Sequence, residues 1–258
     1  MKRIGIIGVG EIGRAIVMGV RHDGDTVPEI HLSPRGARTA AELAERYEDV
    51  WVCADNQEVV DRSDLVILAL RRQDWRAALA GLKVPEDRIV VNVIPGVGTD
   101  ELRAVLATDA TVIHAVPLPT IRERQSITVV FPSHPDTDAF FERLGGALPV
   151  ADEAALNVLS AVTSTQSATY AFLATLVSWA ADQGIPAEDA DRYVRGVYQD
   201  FGRSLADTTR SLPTLGAEHE TPGGSNELIR TTWFGQGNSD ALRGALDGLL
   251  THLQGGPK

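Results

Sequence analysis

The chain has 258 residues, 43% hydrophobic and 23% charged, with a formal net charge of −11 and a pI near 5.0. These values describe a globular protein with core enough for two domains, and the acidity excludes nucleic acid and anionic membrane surfaces as main partners. Cys53 is the only cysteine; no intrachain disulfide can form, and a reducing cytoplasmic location is expected.

In chain order, apolar runs predict strands at 3–7, 29–32, 50–52, 65–69, 89–93, 112–114 and 127–131. Helical patterns fall between them at 12–21, 36–47, 56–61, 73–81, 99–106 and 136–144. Leu65-Val66-Ile67-Leu68-Ala69 is apolar on both faces, as a buried parallel strand must be. Alternating strand and helix predicts a doubly wound parallel sheet over 1–150. The opening strand leaves no room for a signal or transit peptide, so none is expected.

Gly8-Val9-Gly10-Glu11-Ile12-Gly13 joins the first strand to the first helix. In that setting G-x-G-x-x-G is the dinucleotide-binding fingerprint of a Rossmann domain. Gly8 permits the tight turn, Gly10 admits a pyrophosphate, and Gly13 lets the helix approach the strand. With Glu11 and Ile12 they place free N–H groups of the helix start before the phosphates. The second strand ends in Ser33-Pro34-Arg35-Gly36-Ala37-Arg38. An enzyme for NADH usually carries an acid there; Ser33, Arg35 and Arg38 suit a 2′-phosphate instead, so NADPH is favoured over NADH. Asn56 either caps a helix or bonds the adenine ribose. Ala69, Leu70 and Arg71 end the fourth strand at the edge where ligands bind. There Arg71 or Arg72 either meets the pyrophosphate or lies in solvent.

From Asp152 strand signals vanish, and 151–258 reads as an all-helical domain. Asp152 is the expected cap of a helix running to 183, with a break near 163–167. Gly184 ends it, and Pro186 starts a second long helix to about 209. A loop over 211–222, helices at 224–233 and 239–253, and a frayed tail at 255–258 complete the reading. The stretch Ala171-Phe172-Leu173-Ala174, Leu176-Val177 and Trp179-Ala180 is apolar around most of a helix. It predicts burial against a second copy, hence a homodimer or higher homo-oligomer.

Thr221-Pro222-Gly223-Gly224 turns the chain just before a helix. Free N–H groups at such a turn form an anion site, to which Ser225 and Asn226 add side-chain groups. An ordinary capped turn reads the same way. Together the fingerprint, Ser33-Pro34-Arg35, Asn56-Gln57-Glu58, residues 64–69, Gly96-Val97, Pro117 and above all Thr221–Gly224 resemble the pyrroline-5-carboxylate reductases along nearly the whole chain. The resemblance implies NAD(P)H-dependent reduction of the C=N bond of 1-pyrroline-5-carboxylate to proline. It also implies a helical dimerisation domain and a site formed at the dimer interface. It assigns the substrate to Thr221, Gly223, Gly224, Ser225 and Asn226, with Ser225 and Asn226 in the catalytic positions, and it requires no metal.

The substrate half departs from the family pattern. Asn226 replaces a Thr, Val116-Pro117-Leu118 replaces Met-Pro-Asn, and Arg71-Arg72 stands for Lys-Pro. Reduction of a different imine or of a ketone, and a non-catalytic NADPH-binding regulator, are the alternatives. A β-hydroxyacid dehydrogenase would need a catalytic Lys in the helical half, and none lies between Lys83 and Lys258. His219, near the turn, is either a proton source or a solvated loop residue.

Overall fold

The computed structural model describes residues 3–22 and 28–254; the expected tail at 255–258 lies outside them. The described residues divide into two compact units, 3–160 together with 253–254, and 161–252.

The first unit is built on an eight-stranded sheet. Its strands are β1 (Arg3–Ile7), β2 (Glu29–Leu32), β3 (Val50–Val52), β4 (Leu65–Leu68), β5 (Ile89–Asn92), β6 (Thr111–Val116), β7 (Thr128–Phe131) and β8 (Ala147–Pro149). The order is β3-β2-β1-β4-β5-β6-β7-β8. The connections carry α1 (Glu11–Val20), α2 (Ala37–Arg46), α3 (Asn56–Asp61), α4 (Trp75–Leu79), α5 (Thr99–Leu106) and α6 (Pro135–Glu142). Ile4, Ile6 and Ile67 pack in one buried cluster, and Ile7, Val66 and Leu68 in another. Helices therefore cover both faces of the sheet, which is why its central strands tolerate no polar alternation. The order reverses direction between β1 and β4, so a crevice opens at their carboxyl ends.

The sheet is parallel from β3 to β6, as the sequence predicts, but β7 runs antiparallel to β6. The segment between them holds only a 3-10 turn (Pro119–Glu123) and no crossover helix, so the chain returns in the opposite direction. α6 then provides a crossover, and β8 lies parallel to β7. β8 escaped the sequence reading because it is a three-residue edge strand ending in proline.

His31 and His114 are buried in this unit, and His31 Nδ1, His31 Nε2 and His114 Nδ1 make no hydrogen bond. Glu29 lies 3.7 Å from His31 and Glu153 lies 3.8 Å from His114. Desolvation is nevertheless the largest influence on both, and it holds them below the ordinary imidazole value of 6.5. A depressed folded-state value means that the unfolded chain takes up the proton first. Stability is therefore expected to be intact above pH 6.5 and to fall as pH drops through the folded-state values. Urea denaturation between pH 8 and 5 tests this. His114→Leu should flatten the acid limb, and an unchanged limb would remove His114 as its source.

α7 (Glu153–Thr163) is capped by Asp152, whose Oδ1 accepts from Ala155 N at 2.7 Å. α7 ends in the helical unit, whose further helices are α8 (Gln166–Asp182), α9 (Ala187–Leu205), α10 (Leu212–Glu218), α11 (Ser225–Thr232) and α12 (Gln236–Leu253). Gly184, at φ +92°, ends α8 and Pro186 precedes α9. α10 occupies the expected loop: Ser211 caps it, with Thr214 N donating to its Oγ at 3.2 Å. Phe172 stacks on Trp233 at 4.9 Å, and Tyr198 on Phe201 at 5.2 Å. α8 buries none of its residues within the chain; Trp179 is 64% exposed and Tyr193 on α9 is 75% exposed.

Candidate active site

The glycines of the fingerprint have separate physical duties. Gly8 has φ +99°, and a Cβ there would lie 2.3 Å from Ala69 O, at the end of β4. A Cβ on Gly13 would lie 2.4 Å from Gly8 O. A Cβ on Gly10 would meet nothing within 4 Å, so Gly10 borders open space. No side chain caps α1, and the first helical bond runs from Arg14 N to Gly10 O at 2.9 Å. The N–H groups of Glu11, Ile12 and Gly13 thus have no carbonyl partner within the helix. This cradle fits a dinucleotide pyrophosphate: open backbone, uncapped donors and the positive end of a ten-residue helix.

Arg122 is a neighbour that the sequence reading missed. It reaches from the 3-10 turn to pair with the Glu11 carboxylate, and its Nε donates to Pro119 O at 2.9 Å. Partners that far apart in sequence leave no local signal.

At the carboxyl end of β2 Ser33 is fully buried, and its Oγ accepts from Gly8 N at 2.9 Å. That bond ties the end of β2 to the fingerprint turn through one acceptor lone pair of Ser33, and the O–H of Ser33 takes no part in it. Arg35 and Arg38 are the exposed groups here. Arg35 Nη2 lies 3.3 Å from Asp74 Oδ1, and Arg38 Nε lies 3.7 Å from Glu42 Oε1. Asp55, not Asn56, caps α3, its Oδ1 accepting from Glu58 N at 2.8 Å. Asn56 Nδ2 donates to Ala78 O at 2.9 Å and so anchors α4. Ala69 and Leu70 line the end of β4 and Arg71 is exposed. Arg72 leans against Gly96, where a Cβ would lie 2.2 Å from its Nη1.

In the helical unit Gly223, at φ +74°, makes the turn after Pro222. Gly224 N donates to Thr221 O at 2.8 Å, and a Cβ on Gly224 would lie 2.4 Å from Thr221 Oγ1. Gly223 N donates to Glu227 Oε2 at 2.6 Å. The two glycine N–H groups are therefore used inside the turn. The donors left open at the start of α11 are those of Ser225, Asn226 and Glu227, since the helical ladder begins with Leu228 N to Gly224 O. Asn226 Nδ2 donates to His219 O at 2.7 Å. The His219 ring stacks on Phe201 at 6.0 Å, so its contribution to the turn is a backbone carbonyl. Glu227, like Arg122, was not anticipated, although its spacing four residues beyond Gly223 carried the signal of a helix-start carboxylate. No group of three metal-ligating side chains occurs among the described residues, and no described helix is long and apolar enough to cross a membrane.

Residues 3–96 match the family model for NADP oxidoreductase, coenzyme F420-dependent. The chain is 25% identical over 238 residues to pyrroline-5-carboxylate reductase 2 of Bacillus subtilis (strain 168), covering 88% of this chain and 85% of the relative. Its fold superposes on 1-pyrroline-5-carboxylate reductase from Streptococcus pyogenes with a TM-score of 0.81 at 20% identity, covering 98% of each chain. Plasmodium falciparum pyrroline carboxylate reductase with NADP bound gives a TM-score of 0.80 at 12% identity, covering 98% of this chain and 97% of that one. The chain is thus similar in sequence along most of its length to pyrroline-5-carboxylate reductases, and it shares their sheet-then-helices fold.

Proposed function

We propose that this oxidoreductase uses NADPH to reduce the C=N bond of a small cyclic imine carboxylate, with 1-pyrroline-5-carboxylate as substrate and L-proline as product. Residues 1–150 hold the cofactor, and 151–258 hold the substrate and a second copy of the chain. The observation that carries the reading is the fixed amide of Asn226. With Nδ2 committed to the His219 carbonyl, Oδ1 is an acceptor beside the open N–H groups of Ser225 and Asn226. A carboxylate suits those N–H groups and the Ser225 hydroxyl, while a protonated ring nitrogen suits Oδ1. Thr221 packs on Gly224 and keeps the turn in shape.

The chemistry follows from that pairing. The imine binds already protonated, its N–H donating to Asn226 Oδ1. A bound nicotinamide would supply hydride to the C=N carbon, and because the imine is already protonated the resulting amine would need no proton from the protein. Orientation of the two reactants provides most of the rate.

Steady-state oxidation of NADPH in the presence of pyrroline-5-carboxylate tests the reading. Asn226→Ala should lower turnover on the order of tenfold to a hundredfold, the worth of one hydrogen bond in the transition state. Asn226→Thr should keep or raise activity. If neither the parent nor Asn226→Thr oxidises NADPH with this imine, the proline-forming assignment fails. NADPH binding without oxidation by any imine would indicate a regulator.

The apolar faces of α8 and α9 support assembly, because exposed aromatic surface of this kind is covered in stable proteins. Light scattering at micromolar protein should give at least a dimer; a monomer would remove the shared-site arrangement. Cys53 fits a reducing cytoplasm: burial pushes its thiol up to about 11, leaving it protonated and inert.

A further inference from the structure

We propose that Asp74 sets the cofactor preference by competing with the 2′-phosphate for Arg35. Asp74 stands at the cap position of α4, where a carboxylate ordinarily accepts from its own helix, yet it makes no capping bond. Its Oδ1 lies 3.3 Å from Arg35 Nη2, across the corner where β2 ends. Of the neighbouring arginines, Arg72 leans on Gly96, and Arg76 lies over the Trp75 ring and pairs with Glu101. The Arg35 side chain is 59% exposed and that of Asp74 is 30% exposed, so an arriving ligand can reach both.

The pair has opposite effects on the two cofactors. A 2′-phosphate that takes Arg35 must draw it from Asp74 and then sit beside a carboxylate of like charge. A ribose 2′-hydroxyl meets an acceptor instead. Asp74 thus supplies, from the start of α4, the acid that is missing from the end of β2. Arg35 draws the chain toward NADPH while Asp74 restrains that preference and preserves a place for NADH. This inference rests on the reading that Arg35 meets the 2′-phosphate.

Fluorescence titration of the full chain with NADPH and with NADH, on the parent, Asp74→Asn, Arg35→Ala and the double variant, tests it. Asp74→Asn keeps the shape and removes the charge. It should tighten NADPH by about tenfold, the size of one charge-assisted contact, and leave NADH unchanged or weaker. In the Arg35→Ala background the same change should have a much smaller effect on the NADPH-to-NADH ratio. An unchanged ratio in Asp74→Asn, with NADPH weakened in Arg35→Ala, overturns the role of Asp74 and leaves the 2′-phosphate reading standing. Equal weakening of both cofactors by Asp74→Asn assigns it a structural part only and also overturns the proposal. If Arg35→Ala leaves NADPH affinity intact, the 2′-phosphate reading fails and the proposal falls with it.

Discussion

Gly8→Ala is expected to destabilise the sheet unit by roughly 3 kcal/mol or more and to abolish NADPH binding. Two costs add at this position. The backbone at φ +99° is one that L side chains rarely adopt, and the new methyl would stand 2.3 Å from the Ala69 carbonyl oxygen. That oxygen belongs to the end of a central strand and cannot move without disturbing the β1–β4 pair. Gly10→Ala makes the control, since its Cβ meets nothing within 4 Å and its φ of −84° suits alanine. It should keep the parent's urea midpoint while weakening NADPH by on the order of tenfold or more, because its methyl fills space left for the pyrophosphate. Equal midpoints for Gly8→Ala and Gly10→Ala would contradict this division of labour.

Gly224→Val should remove turnover, by on the order of a hundredfold or more, while NADPH still binds. Its Cβ would lie 2.4 Å from Thr221 Oγ1 and 2.9 Å from the Thr221 carbonyl oxygen, so the turn must open to admit it. Opening the turn breaks the Gly224 N to Thr221 O bond and shifts the start of α11, on which the Ser225 and Asn226 donors depend. Cofactor titration and imine turnover on the same preparation check both halves of the expectation. Wild-type turnover in Gly224→Val would dissociate the Pro-Gly-Gly turn from substrate binding.

The central strands β1, β4 and β5 were legible in the sequence because two-sided burial leaves nearly continuous apolar runs. The direction of β7 was not: Thr128–Phe131 reads alike either way, and direction depends on what the preceding segment folds into. α10 was hidden by Pro213 and Gly216, which suggested a loop, although Ser211 stood ready as its cap. At the site, positions were easier to read than states. The place of Ser33 at the end of β2 was visible; that its Oγ accepts from Gly8 N was not. The pairs Glu11–Arg122 and Arg35–Asp74 join residues that only the folded sheet brings together.

The bond from Gly8 N to Ser33 Oγ joins the fingerprint turn to the carboxyl end of β2, the two places where the proposed dinucleotide would lay its phosphates and its adenosine. Because the link is buried and already made, these places cannot drift independently before the cofactor arrives. Less backbone freedom is then surrendered on association, and the free energy of cofactor contacts is not diverted into ordering the cradle. On the proposed cofactor reading, Ser33 would act as a stiffener whose influence belongs to the entropy of binding.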